Sequence, residues 1–445
     1  MKSILLLFLL AIFTLHVSAD PISVETANQV GLSFFARPVS ASGMLKSTKH
    51  PVSLKLVYTA NAIQVDAGSR LKSEAQTIVP FYVFSSDNQG YVVVAGDDRS
   101  IPILGYADEG AFDPNNIPPN MQKWLEGYKA EIRYAIENNI VASPEIQSEW
   151  KALQSGSRLK SQKSTSAVAP LVTTKWDQSP YYNDLCPLDN TEGEKTVTGC
   201  VATAMAQVMK FWNYPAVGTG FHSYNHSTYG TLSANFGSTT YSWGEMPNQL
   251  ASSNSSTQKD AVATLMYHCG VSVDMDYGVA SKGGSSAMTI CSGYSNCTVS
   301  AEDALKAYFG YKNTLQGLHK SDYTESNWIN LLKNELNGGR PIIYAGRGSE
   351  GGHCFVCDGY DSNNFFHFNW GWAGQNDGYF ALAALNPGSG GAGGGSYEFT
   401  DAQRAIIGIE PATSGTVPQT YDLRLYSALV CHQTESGLRM PSIWM

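Results

Sequence analysis

The stretch GGHCFVCDGYD, Gly351 to Asp361, admits two incompatible readings. In one, His353, Cys354 and Cys357 are metal or redox ligands around a C-x-x-C. In the other, the segment is a strand, His353 is a catalytic base and the cysteines only pack. Successive strand residues point to opposite faces, so cysteines three positions apart diverge. Zinc knuckles hold C-x-x-C on a tight turn and need a second ligand pair at spacing. Cys291 and Cys297, around SGYSN, could supply that pair or equally form a local disulfide. A thioredoxin-like role would require the C-x-x-C to open a helix. The strand reading carries the analysis forward, with no metal assigned.

A catalytic base implies a nucleophile. Cys200 begins CVATAMAQVMKFW, in which Val201, Met205, Val208 and Trp212 share one face and the remaining positions are mostly apolar or small. Such a helix is buried, and Pro215 in NYP ends it. A cysteine in the first turn of a helix feels the positive end of the dipole, which favours thiolate. By position alone Cys200 also fits a small buried hydrophobe. His353 follows at roughly 150 residues, near the separation of cysteine and histidine in papain-like enzymes, although papain's local cysteine signature is absent. One strand later, FNWGW offers Asn369 to orient the imidazole, with Trp370 or Trp372 to shield that bond. Upstream, Gln178 in KWDQSPYYNDLCP could join the Cys200 N–H as an oxyanion donor. The other histidines, His222, His226, His268, His319 and His367, have no evident companions, and Asp274 and Asp276 read as structural.

The layout around these residues is that of an exported precursor. Residues 1–19 carry Lys2, an apolar run and a small-residue end at Ser18-Ala19, predicting a signal peptide cleaved after Ala19. Residues 20–153 predict a small α+β unit: Ser23 caps a helix, FYVFSSDNQGYVVVAG forms a hairpin and Pro118-Pro119 opens a second helix. Residues 154–170 are Ser-rich and basic, an exposed linker. Either this is a zymogen with a cleavable linker, or the two units are joined permanently. Residues 171–411 run from helices to strands, which fits an α+β class. The Gly-rich tract NPGSGGAGGGSYEFT lacks a P-loop lysine and reads as a loop. Residues 412–445 form a tail too short for a core. A net charge of −9 argues against nucleic acid or anionic membrane as the main partner. No later apolar run is long enough to span a membrane. Eight cysteines in 445 residues are too sparse to be the main scaffold.

TGCVATAMAQVMKFWNYP, GVSVDMDYG, GGHCFVCDGYD, FFHFNWGWAGQNDGYFAL and ALNPGSGGAGGG together resemble the streptopain and interpain family of secreted bacterial cysteine proteases. YVVVAGDDRSIPILGYADEGAFD resembles the pro-domain of that family. The resemblance implies a papain-like two-lobed fold, made as an inactive zymogen, that cleaves peptide bonds of protein or peptide substrates. It implies Cys200 as nucleophile, His353 as base, Gln178 in the oxyanion hole, and Asn369, Trp370 and Trp372 steadying the imidazole. Gly352 and the loop carrying Lys282, Gly283 and Ser285 would line the substrate cleft, favouring an apolar residue two before the scissile bond. The pro-domain would act as an intramolecular inhibitor, holding His353 away from Cys200. The expected protein is monomeric and secreted, periplasmic or on the cell surface. It needs no cofactor, and no loop demands calcium. Departures are Cys354, where the family has a small residue, Lys282 in the cleft loop, MTICSGYSNCTV as an insertion, and the tail. Two other functions use the same features: a cell-wall amidase or acyl transferase with the same dyad, and a non-catalytic binding protein.

Overall fold

The computed structural model describes residues 21–36, 53–65, 76–86, 90–156, 167–346, 353–385 and 403–412. The N-terminal region opens with α1 (Val24–Phe35), capped by Ser23, whose hydroxyl accepts from the Thr26 N–H. Four antiparallel strands follow: β1 (Lys55–Thr59), β2 (Phe81–Ser85), β3 (Tyr91–Ala95) and β4 (Ile103–Ala107). Strands β2 and β3 are the expected hairpin; its turn, 87–89, lies outside the described residues. Helix α2 (Pro119–Glu137) buries Met121, Trp124, Leu125, Tyr128 and Ile132, the stripe its 3.6 period dictates. A further helix, α3 (Pro144–Gln154), was not anticipated, although Ser143 caps it and Pro144 begins it. Gln154 therefore ends a helix instead of beginning the linker. At the linker's other end Val168 pairs with Tyr360, so its last residues are main-chain bonded. The rest of the linker, the Gly-rich tract and nearly all of the tail lie outside the described residues.

The remainder supplies α4 (Cys200–Trp212), α5 (Ser256–Val271), α6 (Ala301–Ala307) and α7 (Glu325–Asn337). Its strands in the large sheet are β5 (Gln316–His319), β6 (Ile342–Gly346), β7 (His353–Tyr360), β8 (Phe366–Asn369), β9 (Gly378–Phe380) and β10 (Arg404–Ile407). The helix-then-strand order of the sequence is kept, and the α+β class with it.

The two regions do not stand apart. One ten-stranded sheet runs β1-β2-β3-β4-β9-β8-β7-β6-β10-β5, so the N-terminal strands extend the sheet that carries His353. At the junction Tyr106 lies opposite Tyr379 and Gly105 opposite Phe380. The Tyr106 ring stacks on Tyr379 at 5.2 Å, and its hydroxyl donates to buried Asp361 at 2.9 Å. On α2, the Tyr128 hydroxyl accepts from Trp124 Nε1 and lies 2.8 Å and 2.5 Å from the carbonyls of Leu104 and Ala381, bridging both sides of the seam.

Each face of the sheet buries a separate core. On one face α2 lays Trp124 among Phe355, Phe368 and Tyr344, with centroids 5.0–6.1 Å away. On the other, α4 and α5 pack Met205, Met209 and Met266 against Val356 and Ile343. Strand alternation sends Cys357 into the first core and Cys354 into the second. The two sulfurs of the C-x-x-C are thus divided by the sheet.

A side chain at Gly105 would meet the Phe380 ring at 2.5 Å. Gly105→Val should therefore strain the seam by about 1–3 kcal/mol, read as a lower urea midpoint for the intact chain.

Candidate active site

The geometry around Cys200 begins one residue earlier. Gly199 has φ +87°, and a Cβ there would lie 2.7 Å from Met275 Sδ and 3.2 Å from Ser285 Cβ. Only glycine fits this close, left-handed approach. It turns the chain so that Cys200 is the first residue of α4, and Thr203 Oγ1 closes the turn on the Gly199 carbonyl at 3.0 Å. The Cys200 sulfur accepts from the main-chain N–H of Cys354 at 3.4 Å. Helix α4 and strand β7, 154 residues apart in sequence, thereby meet at the residue that follows His353.

The electrostatics differ from the sequence expectation. Burial raises the Cys200 thiol, although the N–H groups of Cys354, Val201 and Cys200 itself pull it down. The helix-terminal field is present but loses to desolvation. Burial also lowers His353, and the charge of Lys123 on α2 lowers it further. Both shifts favour the uncharged forms of the two groups. Among the described residues no hydrogen bond joins His353 to Cys200 or to Asn369.

Asn369, at the end of β8, is bonded elsewhere. Its Oδ1 accepts from Gln207 Nε2 and Gly371 N–H, both at 3.0 Å, and its Nδ2 donates to the Thr174 carbonyl at 2.7 Å. In this state the Asn369 oxygen is held by Gln207 and Gly371 and makes no bond to the imidazole. Trp370 is buried with Phe355, Phe368 and Phe380, and its N–H groups bond Asp377 and the Asn376 carbonyl. It packs in the core shared with α2, on the opposite side from the Asn369 amide. Trp372 is half-buried at the edge of the same core. Gln178 is buried, and its carbonyl accepts from the Thr198 N–H at 3.3 Å, bringing it beside the chain that enters α4.

The candidate substrate contacts fare unevenly. Ser285 is buried and its hydroxyl bonds the Val197 and Gly278 main chain, so in this state it braces the loop instead of presenting a polar group to a cleft. Lys282 is exposed, but its ammonium pairs with Glu192 at 2.5 Å. Gly283 takes φ +97°, the turn that exposes this loop. Gly352 lies outside the described residues.

Several groups at the site escaped sequence reasoning. Asn120, from the start of α2, is buried and donates to the carbonyls of Trp370 (2.5 Å) and Cys354 (3.4 Å). It wedges between the strands that carry His353 and Asn369. Gln207 was legible in principle, as a lone amide in a helix with Val201 to Met209 all buried. Three histidines pair with a carboxylate: His222 with Asp274 at 2.6 Å, His226 with Asp276 at 3.1 Å, and His367 with Asp358 at 2.6 Å. These carboxylates are far away in sequence or on a neighbouring strand, which a linear reading cannot see. Cys291 and Cys297 form the local disulfide. Among the described residues no group of three or more His, Cys, Asp or Glu could hold a metal ion, and no helix is long and apolar enough to cross a membrane.

A helix-borne cysteine facing a histidine-bearing strand, with a buried asparagine on the next strand, defines a papain-like thiol hydrolase, here with an N-terminal region joined to the same sheet. Comparison with known proteins agrees. Residues 176–380 match the Peptidase C10 family, and residues 19–132 match the family described as Spi protease inhibitor. Streptopain of Streptococcus pyogenes is 34% identical over 350 residues, covering 74% of this chain and 80% of streptopain. The thiol protease/hemagglutinin PrtT of Porphyromonas gingivalis is 32% identical over 90% of this chain, which spans 44% of PrtT's length. A solved fragment of Prevotella intermedia prointerpain A superposes with a TM-score of 0.62 at 29% identity, covering 79% of this chain and all of the fragment. The chain belongs to the Peptidase C10 family: it is a cysteine peptidase with an inhibitory pro-domain in the same polypeptide.

Burial pushes the Asp377 carboxyl up to about 7, against the charge of His367 and the Trp370 N–H. Folding thus takes up a proton wherever the unfolded carboxyl has ionised and the folded one has not. The associated cost appears above pH ~4 and is complete above pH ~7. Asp377→Asn, which keeps the acceptor for Trp370, should raise the melting temperature relative to the parent at pH 8 and leave it unchanged at pH 4. A difference that does not vary with pH would contradict this assignment.

Proposed function

We propose that this peptidase is an exported endopeptidase, made as a self-processing zymogen, with Cys200 as nucleophile and His353 as general base. The observation that carries the reading is the contact of the Cys200 sulfur with the N–H beside His353. Once the pro-domain leaves, water enters, the desolvation that suppresses thiolate and imidazolium is relieved, and the charge of Lys123 is removed. Both changes favour proton transfer from Cys200 to His353.

In the reaction the thiolate adds to the scissile carbonyl. The Cys200 N–H and the Gln178 amide hold the resulting oxyanion, and imidazolium gives its proton to the departing amine. Water, deprotonated by His353, then attacks the thioester; collapse releases the carboxylic acid and returns the thiol. Asn369 orients the imidazole, and Trp372 excludes water from that bond. The exposed loop at Lys282 and Gly283 meets the substrate together with Gly352. Residues 1–19 direct export, and cleavage within 154–170 separates the pro-domain from the catalytic unit of residues 171–411. Protein substrates fit the family better than cell-wall peptides, and the protein acts as a monomer.

Cys200→Ala should abolish both casein hydrolysis and conversion of the purified zymogen to the mature form. Persistence of either in the variant would sink the mechanism. Asn120→Ala removes the wedge at the Trp370 and Cys354 carbonyls, so the precursor should convert faster, by several-fold in a densitometric time course.

A further inference from the structure

We propose that Gln207 is a positioning residue for His353, acting through Asn369. The proposal rests on the reading that Asn369 orients the imidazole in the mature enzyme.

Gln207 is fully buried in α4, two turns beyond Cys200, where every neighbour from Val201 to Met209 is also buried. An amide in such surroundings is costly unless each of its atoms is paired. It is. Oε1 accepts from the Thr174 hydroxyl at 2.9 Å and from the Trp176 N–H at 3.3 Å, and Nε2 donates to Asn369 Oδ1 at 3.0 Å. Asn369 Nδ2 then donates to the Thr174 carbonyl. Thr174, Gln207 and Asn369 form a closed ring of three hydrogen bonds.

The ring has a fixed direction. Oxygen and nitrogen of an amide are told apart only by their partners, and main-chain groups decide here. The Trp176 N–H can only donate, which makes the facing Gln207 atom oxygen and the other nitrogen. That nitrogen, and the Gly371 N–H, require oxygen from Asn369; the Thr174 carbonyl requires its NH2. Asn369 therefore holds one orientation before the imidazole is released. An imidazole N–H needs an acceptor, and the oxygen pinned by Gln207 provides it by exchanging the Gly371 N–H for that of the imidazole.

The ring also joins three pieces of chain: the helix with Cys200, the strand with Asn369, and the segment that enters the catalytic unit. Gln207 thus fixes the distance between the nucleophile's helix and the orienting amide. A misplacement of about 1 Å at such a site can lower turnover by about 10²-fold.

The test uses zymogens matured by immobilised wild-type enzyme, with kcat expressed per titrated Cys200 thiol so that misfolded protein does not count. Gln207→Met keeps the length and removes both polar ends. It should lower kcat by about 10–10²-fold with KM within twofold. In an Asn369→Ala background the same substitution should have little further effect, because its action passes through Asn369. An unchanged kcat per site, or an equal loss in both backgrounds, overturns the proposal. If Asn369→Ala alone leaves kcat intact, the reading of Asn369 fails, and the inference with it, in an arm that does not involve Gln207. Thr174→Val, which removes only the hydroxyl of the ring, keeps the test open should Gln207→Met not fold. A several-fold loss of kcat is expected there, and wild-type kcat per titrated site overturns the proposal.

Discussion

The pairing of β4 with β9 is the contact on which the rest of the zymogen depends. A sheet edge offers unpaired N–H and C=O groups, and burying them unpaired is costly. Here the edge of the catalytic sheet is closed by the pro-domain's last strand, through Tyr106 and Gly105 against Tyr379 and Phe380. Everything that disables the site hangs from that seam. It sets α2 across the face of β7 and β8, and so places Trp124 in the shared core, Asn120 between two strand carbonyls and Lys123 where its charge reaches His353.

The same seam governs the chemistry of the thiol. A cysteine at a helix start is usually a candidate for a low pKa. In this enclosed state desolvation outweighs the helix and the N–H groups around the sulfur, and the imidazole is pushed toward its neutral form. Thiolate and imidazolium are a charge pair, and such a pair is favoured only when its mutual attraction exceeds the cost of burying both ions. With no bond between them, neither partner supplies that attraction. The orienting asparagine, by contrast, is already set.

Much of this was legible in the sequence because it depends on local pattern. Strand alternation alone separated Cys354 from Cys357, and the apolar helix that begins at Cys200 announced its own burial. The Ser23 cap, the β2–β3 hairpin and the stripe of α2 followed from short-range rules. What escaped was non-local. The merger of two α+β units into one sheet depends on edges meeting across the chain, which no periodicity encodes. Asn120 looks like an ordinary residue of a helix start until the carbonyls of Cys354 and Trp370 appear beside it. The depressed thiol pKa expected from the dipole failed because the burial that outweighs it belongs to the tertiary structure. Asn369 was a candidate from its place in FNWGW, but its partners Gln207 and Thr174 lie 162 and 195 residues away.

The ten-stranded sheet also has a history written in chain order. Tyr128 and the Ala381 carbonyl it approaches are separated by 253 residues. During synthesis the first four strands and α2 are therefore complete long before their neighbour β9 exists. Until then β4 is an open edge, and the face of Trp124 is bare hydrocarbon waiting for Phe355 and Phe368. The region made first is a surface prepared in advance for the region made last. The strand that carries His353 is thus made after the surface it packs against.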